Sequence, residues 1–184
     1  MKRLVLLICI IAFNLAAAQT GKPAAKPATK ATAKKAAPTD WDLLDEAFVA
    51  TVDALQKGNE AAFKAQSLAN VDCVDCVGAM EVTAEGTAFV PSGFFYIVIS
   101  KNFTESPVYK AMATKGYSFS TIVLENFRPQ SLPKDGSKDL KLYEVWVETY
   151  KPGEYSKTHR GTSHSFRFVK VNGKFKFYGL TSIP

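Results

Sequence analysis

The sequence is poor in cysteine, with three in 184 residues, and only Cys73 and Cys76 lie beyond the apolar N-terminal segment. Two cysteines cannot form the framework of several disulfides that holds many small secreted domains together. The sequence also has no phosphate-binding glycine loop, no His-Glu-x-x-His, no Gly-x-Ser-x-Gly and no ladder of acids typical of an EF-hand. Because these patterns mark common nucleotide, zinc, hydrolase and calcium sites, we predict no metal and no cofactor.

Most of the sequence has no excess of positive charge, because the net charge of +6 comes from the N-terminal residues. Residues 1–39 hold seven of the 23 Lys and Arg residues and no acid, so residues 40–184 carry 16 cations against 17 acids. A near-neutral region of this kind is not a specific nucleic-acid-binding domain. Its length, about 145 residues, is sufficient for one domain with its own core and too short for two.

Long apolar runs are absent except at the N-terminus, where the pattern is typical of a secretory signal peptide. Lys2 and Arg3 precede an apolar run from Leu4 to Leu15, and small residues follow at 16–18. As a helix, residues 4–18 would be about 22 Å long at roughly 1.5 Å per residue, which is short for a bilayer core of about 30 Å. We predict cleavage near Ala18, a secreted or periplasmic location, and a mature chain without a transmembrane segment.

Residues 19–39 have no aromatic and no large aliphatic side chain, and they consist mainly of Ala, Lys, Thr and Pro. Such a segment has little to bury, so we predict a disordered linker. Its five lysines allow weak contact with an anionic polymer of the cell envelope. A solvated spacer between the signal peptide and a domain at 40–184 is the simpler interpretation.

Three helices are predicted in the domain from capping residues and apolar spacing. Thr39 or Asp40 caps the first helix, which ends at Gly58. Asn59 caps the second, and Pro107 and Gly116 bound the third. The inward-facing side chains are expected to be Leu44, Phe48, Val52 and Leu55 in the first helix, Ala62, Phe63 and Leu68 in the second, and Val108 and Met112 in the third.

Strands are predicted near Thr87–Val90 and at Gly93–Ser100, Ser118–Phe127 and Leu140–Tyr150, with a closing hairpin at Asn172-Gly173. In that hairpin Val171 faces Lys174, and one face carries His164, Phe166, Phe168, Phe175 and Phe177. The other face carries Arg167 opposite Tyr178, with Val169, Val171 and Leu180. Since the phenylalanine face must be covered, we predict an α+β fold with N-terminal helices on one face of a curved antiparallel sheet.

The helix–Gly58-Asn59–helix entry and the closing Asn172-Gly173-Lys174-Phe175 turn resemble the nuclear transport factor 2-like superfamily, with its SnoaL-like and cystatin-like α+β domains. The resemblance extends over about residues 40–182. It implies a sheet wrapped around a helix, a cone-shaped pocket and often a homodimer. Because the superfamily includes enzymes, ligand binders and scaffolds, the fold does not by itself assign a function.

Cys73 and Cys76 are predicted to form a disulfide, because an even pair of cysteines in an exported chain favours oxidation. Asp72 and Asp75 flank the thiols and disfavour the reactive thiolate that redox chemistry needs. A zinc site with His159 and His164 has the right ligand types. The spacing between the cysteine pair and the histidine pair is far from that of zinc fingers. The two histidines are also an odd number of residues apart, so an unbroken strand would point them to opposite faces.

His164 is the strongest candidate for a catalytic role, because a histidine where a packed face opens into a pocket can act as a general base. Glu144, Trp146, Glu148 and Tyr150 share one face of the preceding strand. If that face turns inward, Glu144 or Glu148 can orient His164. The alternative is an amphipathic strand with solvated carboxylates beside a hydrogen-bonded edge histidine. We assign candidate ligand contacts to Trp146, Tyr150, Arg160 and Phe166.

Three functional hypotheses remain open at this point. The first is an exported, non-catalytic module whose pocket binds a small apolar ligand or a protein partner. The second is a small SnoaL-like enzyme, of the proton-transfer, isomerase or cyclase type, that uses His164. The third is a protein held at the cell envelope by its basic linker. The contents of the largest cavity distinguish the first two, because an enzyme needs His164 and a carboxylate within hydrogen-bond reach.

Overall fold

Helices and strands fill most of the part of the chain that the computed structural model describes, which comprises residues 37–73, 76, 89–129, 132–133 and 136–183. The predicted signal peptide and nearly all of the predicted linker lie outside these residues. The elements are α1 (Asp40–Gln56), α2 (Glu60–Gln66), β1 (Ser67–Cys73), β2 (Phe89–Pro91), α3 (Ser92–Ser100), a short 3-10 helix (Phe103–Glu105), α4 (Pro107–Lys115), β3 (Ser118–Leu124), β4 (Leu140–Tyr150), β5 (Thr162–Val171) and β6 (Lys174–Ile183).

The three helices predicted from their caps are confirmed. The Thr39 side chain accepts from the backbone N–H of Asp42, and the Asp42 carboxylate accepts in return from the backbone N–H of Thr39 at 2.7 Å. This reciprocal capping box satisfies donors that the first turn of α1 leaves unpaired. The side chains of Asn59 and Ser106 cap α2 and α4 in the same way, each by accepting one backbone N–H.

The segment Gly93–Ser100 was expected to be a strand, and that prediction is wrong because the segment belongs to the helix α3. In the helix, Phe95 stacks on Phe63 with ring centroids 5.7 Å apart and lies 5.3 Å from the ring of Phe177. Ile97, two residues further on and on the opposite side of the helix, is 64% exposed. An apolar run of this length does not distinguish a strand from a helix, so packing decides.

The six strands form one mixed sheet in the order β2-β1-β6-β5-β4-β3. β1 pairs with β6 in parallel, whereas the other neighbouring pairs are antiparallel. The prediction of an α+β fold is therefore confirmed, but the expected all-antiparallel sheet is corrected at one pair. β1 was not predicted from the sequence, because Leu68 was assigned to the second helix.

The closing hairpin has the predicted turn, with Val171 opposite Lys174 and Phe168 opposite Phe177. A bulge then shifts the register, so that Arg167 lies opposite Gly179 and not opposite Tyr178. The shift moves Leu180 opposite Phe166, from the face predicted for it to the face that carries His164 and the phenylalanines. Bulges place two residues of one strand against one of the other and so exchange the faces beyond them.

The main core lies between the helices and the sheet. Phe166, Phe168 and Phe177 are almost fully buried there, together with Phe48 of α1 and Phe63 of α2. A second, smaller cluster covers the opposite face of the sheet and contains Leu132, Leu140, Leu142, Val169 and Tyr178. Among the described helices, none has both the length and the apolar content needed to cross a bilayer.

Candidate functional site

A cavity of about 360 Å³ opens at the end of the core where α3 and α4 meet the sheet. Its apolar lining comes from α3, the 3-10 helix, α4 and β6, and its polar lining comes mainly from the loop after α3 and from the ends of β4 and β5. The lining residues are Val98, Ile99, Lys101, Asn102, Phe103, Ser106, Pro107, Val108, Thr149, Tyr150, His164 and Leu180.

His164 lies in this cavity because β5 places it opposite Val147, on the face of the sheet that the helices cover. The Oγ1 atom of Thr149 lies 2.6 Å from Nδ1 of His164. Thr149 follows the same alternation as Val145 and Val147, so its side chain lies on the helix side of the sheet, at the register shift between Glu148 and Tyr150. The backbone oxygen of Thr149 accepts from Nζ of Lys115 at 3.1 Å, so α4 fixes the position of this strand end.

Glu144 does not take the position beside His164 that was proposed for it, because its face of β4 turns away from the helices. Its carboxylate accepts from Ser120 Oγ at 3.0 Å, from Trp146 Nε1 at 3.1 Å and from Arg167 Nε at 3.3 Å. Glu148 shares this outer face and is exposed. Thr149, and not a glutamate, is the β4 side chain that the structure places against His164.

The four predicted ligand contacts lie in four different environments. Tyr150 lines the cavity, as expected. Trp146 lies on the outer face beside Glu144, and Phe166 is buried in the core with its ring 5.3 Å from that of Phe48. Arg160 is exposed in the loop between β4 and β5. Of the four, only Tyr150 is among the described residues that line the cavity.

Most of the lining residues were not predicted from the sequence, Thr149 above all. Val98 and Ile99 were assigned to a strand, and Leu180 was assigned to the wrong face because the bulge beside Gly179 was not recognised. The Ser106-Pro107 cap was identified, but only as a helix start. The available signal was the apolar pair at 98–99, followed a few residues later by the capped start of another helix. Ligand pockets often form between helices.

The two cysteines form a disulfide, Cys73–Cys76, at the end of β1, as predicted. Both are buried in the main core. His159 packs instead against Tyr150 and Tyr155 in the β4–β5 loop, and its Nδ1 accepts from the backbone N–H of Gly161. The proposed Cys–His zinc set is therefore not assembled, and no cluster of three metal-ligating side chains occurs among the residues that the structure describes.

Arg167 joins two carboxylates on the outer face of the sheet. Its Nε lies 3.3 Å from Glu144 Oε1, and its Nη1 lies 3.6 Å from Asp72 Oδ2. Burial raises the pKa of Asp72, and the charge of Arg167 offsets only part of this effect. Burial, with the charge of Asp72 as a smaller cause, also raises the pKa of Tyr178. These groups lie on the face opposite to His164 and are a structural network of the sheet.

No family model matches this chain, and no curated protein matches it. Several solved structures resemble it. The similar structures include NTF2-like and cystatin-like domains. A cystatin-like domain of unknown function from Nostoc punctiforme is 19% identical with a TM-score of 0.34, and the match covers 78% of this chain and 75% of that one.

A member of the NTF2-like family from Streptomyces avermitilis is 13% identical with a TM-score of 0.35, over 79% of this chain and 96% of that one. The Δ5-3-ketosteroid isomerase from a Mycobacterium species is 12% identical with a TM-score of 0.29, over 76% and 91%. At TM-scores below 0.5, these likenesses say nothing about the ligand or activity of this chain.

Proposed function

We propose that the chain is an exported, non-catalytic module whose cavity binds a small, mainly apolar ligand with one hydrogen-bonding group. The observation that carries the proposal is the composition of the cavity, in which apolar side chains surround the pair formed by Thr149 and His164. Its volume, about 360 Å³, lies at the small end of the range for ligand pockets. The apolar wall favours a ring or a short chain, and the His164 imidazole provides a polar anchor for orientation.

Binding is favoured by the composition of the cavity wall, in which residues such as Val98, Ile99 and Phe103 form an apolar surface. The Oγ1 atom of Thr149 lies 2.6 Å from Nδ1 of His164, so an uncharged hydroxyl orients the imidazole as a hydrogen-bonding group. A mainly apolar lining with a few placed polar groups is typical of pockets that bind small ligands.

Export is supported by the signal-peptide pattern of residues 1–18 and by the oxidised pair Cys73–Cys76. Retention at the envelope through the lysines of residues 19–39 remains a prediction from the sequence. It is tested by the binding of the exported protein to vesicles of anionic and of neutral lipid at low and high salt. An electrostatic contact appears only with the anionic vesicles and is lost at high salt.

The binding proposal is tested with 2-naphthol, a fused ring that carries one hydroxyl, and with naphthalene, which has none. We expect 2-naphthol to bind in a 1:1 ratio by fluorescence titration. Val98→Trp, which fills the cavity, should abolish binding of both compounds. Ile97→Trp is the matched control, because Ile97 neighbours Val98 on α3 but is not among the described residues that line the cavity. Equal binding by the two tryptophan variants would show that the cavity is not the binding site.

The role of His164 is separated from that of the apolar wall by His164→Ala. This change should weaken 2-naphthol binding by about 3- to 10-fold, the effect of one hydrogen bond of roughly 0.5–1.5 kcal/mol, and leave naphthalene binding unchanged. An equal loss for both compounds would indicate that His164 only shapes the cavity.

The enzyme hypothesis remains the second candidate, because Thr149 orients the His164 imidazole inside an apolar cavity. The ring ketone 2-tetralone provides the test, since its acidic C–H bonds exchange with deuterium when a base removes a proton. We expect NMR to show no acceleration of this exchange by the protein. Exchange that is accelerated by the wild type and lost in His164→Ala would overturn the non-catalytic proposal in favour of the proton-transfer enzyme.

A further inference from the structure

β3 is an edge strand without the usual protection against pairing with another strand. Among the described residues it pairs with β4 alone, so one side of its backbone is open. Its seven residues, Ser118–Leu124, include no charged side chain and no proline. Proteins commonly protect such edges with charges, prolines or very short strands. The opposite edge follows that rule, because β2 is three residues long and ends at Pro91.

Apolar side chains protrude from both faces of this edge. Phe119 and Val123 lie opposite Val145 and Lys141 of β4 and therefore occupy the helix-side face, and they are 37% and 51% exposed. Ile122 occupies the other face and is 42% exposed. A strand added at this edge would cover all three, whereas a partner packed on one face of the sheet would cover only some of them.

The sequence of β3 is complementary to itself when two copies run antiparallel about Thr121. In that register Phe119 of each copy faces Val123 of the other, and Ser120 faces Ile122. Aromatic–β-branched pairs of this kind stabilise neighbouring strands, and no like charges are brought together. We propose that two copies of this chain associate through β3, with a twofold axis at Thr121, to form one continuous twelve-stranded sheet of which β3 is the centre.

Charges beside the two ends of β3 fit the same arrangement. Near the Phe119 end, Asp45 accepts a hydrogen bond from the hydroxyl of Tyr117, whose ring lies 5.7 Å from that of Phe119. Near the Val123 end, the cross-strand neighbour is Lys141, which is exposed. The twofold axis brings the Lys141 end of each copy towards the Asp45 end of the other. A parallel arrangement would place like ends together.

The half-exposed ring of Trp41 extends this surface towards α1, since it stacks on Phe119 at 5.9 Å. The pair formed by Trp41 and Phe119 therefore gives the second strand an apolar surface on the helix side. Contiguous exposed apolar surface often marks an interaction site.

The proposal is tested by placing charges at the axis. The purified wild-type chain should sediment at twice the mass of one chain in analytical ultracentrifugation. Thr121→Lys and Thr121→Glu should each sediment as monomers, because like charges meet at the axis. An equimolar mixture of the two variants should recover the dimer. Thr158→Lys, at an exposed position in the β4–β5 loop, is the matched control and should remain dimeric.

A monomeric wild type, or a dimer that survives both charged variants, would overturn the proposal. A mixture that stays monomeric would overturn the axis at Thr121. If the charged variants fail to fold by circular dichroism, Thr121→Cys decides the question. Opposed residues of antiparallel strands have Cα atoms about 4.5–5.5 Å apart, within the range that a disulfide bridges. Oxidation should therefore give a covalent dimer, and absence of that product would contradict the register.

Discussion

The ring of Phe177 packs against several other phenylalanine rings in the core. Its ring centroid lies 5.3 Å from that of Phe95, 5.6 Å from that of Phe63 and 5.7 Å from that of Phe168. These contacts join α2 and α3 to the closing hairpin. The side chain is completely buried, so its removal leaves a cavity at the junction of three elements.

We predict that Phe177→Ala destabilises the protein by about 3–5 kcal/mol, the usual cost of truncating a buried phenylalanine. Thermal or urea unfolding followed by circular dichroism measures the effect. Ile183→Ala, on the same strand at a half-exposed position, is the control and should change stability far less. A Phe177→Ala melting curve that overlays the wild type would show that the core assignment is wrong.

The capping box of α1 gives a pH dependence with a definite sign. Hydrogen bonds from the backbone and side chain of Thr39 lower the pKa of Asp42 in the folded state. The stabilisation is therefore present above the unfolded pKa of Asp42, and it is lost as the pH falls through the lowered folded pKa. Asp42→Asn should melt below the wild type at pH 7, and the difference should shrink in acid.

Thr39→Ala provides the matched background for that measurement, since it removes the hydroxyl bonded to the carboxylate and keeps the backbone N–H, which is the larger cause of the lowered pKa. In this background the effect of Asp42→Asn should be smaller at pH 7 and should still shrink in acid. A difference between Asp42→Asn and wild type that is constant from pH 7 to strong acid would contradict the role of the ionised carboxylate.

At the scale of elements, the helices that were predicted correctly are those with polar caps. Thr39, Asn59 and Ser106 each accept a local backbone N–H, and such a signal is readable from the sequence because it involves residues three positions apart. α3 has no side-chain cap, since Pro91 occupies that position. α3 is apolar for two reasons. Phe95 and Tyr96 are buried in the core, and Val98 and Ile99 line the cavity.

The site could be predicted only in part, because alternation along a strand holds until a bulge. His164 and Thr149 lie on the side of the sheet where alternation along β5 and β4 places them. The shift between Glu148 and Tyr150 and the shift beside Gly179 each exchange the two faces of a strand, and these shifts bring Tyr150 and Leu180 into the cavity. Long-range pairing of β1 with β6 fixes the second shift, and no local pattern encodes it.

Gly179 permits that pairing, because a Cβ at this position would collide with the backbone oxygen of Asp72 in β1. We predict that Gly179→Ala forces β1 away from β6 and destabilises the protein by about 1–3 kcal/mol, as overpacking typically does. Amide hydrogen exchange should show faster exchange in β1 than in β4. Ser182→Ala, at a half-buried position further along β6, is the control. Unchanged exchange in β1 would contradict the close approach.

At the scale of the whole molecule, the number of free thiols depends on both signal-peptide cleavage and disulfide formation. Cys9 lies in the predicted signal peptide, whereas Cys73 and Cys76 are bonded to each other. We predict that the exported protein begins at Gln19 and has no free thiol when it is unfolded without reductant. Intact mass and thiol titration measure both properties. One thiol per chain would show that Cys9 is retained, and two or more would show that the disulfide is not formed.

The position of β6 in the sheet has a consequence for how the chain reaches its destination. β6 comes last among the described strands, yet it lies between β1 and β5 in the sheet. The N-terminal helices therefore lack most of their packing surface, including Phe177, until residues 174–183 have been synthesised. If the chain is exported as proposed and threaded through a translocation channel from its N-terminus, it remains without a complete core during passage. The topology would then delay folding until the polypeptide is released on the far side of the membrane.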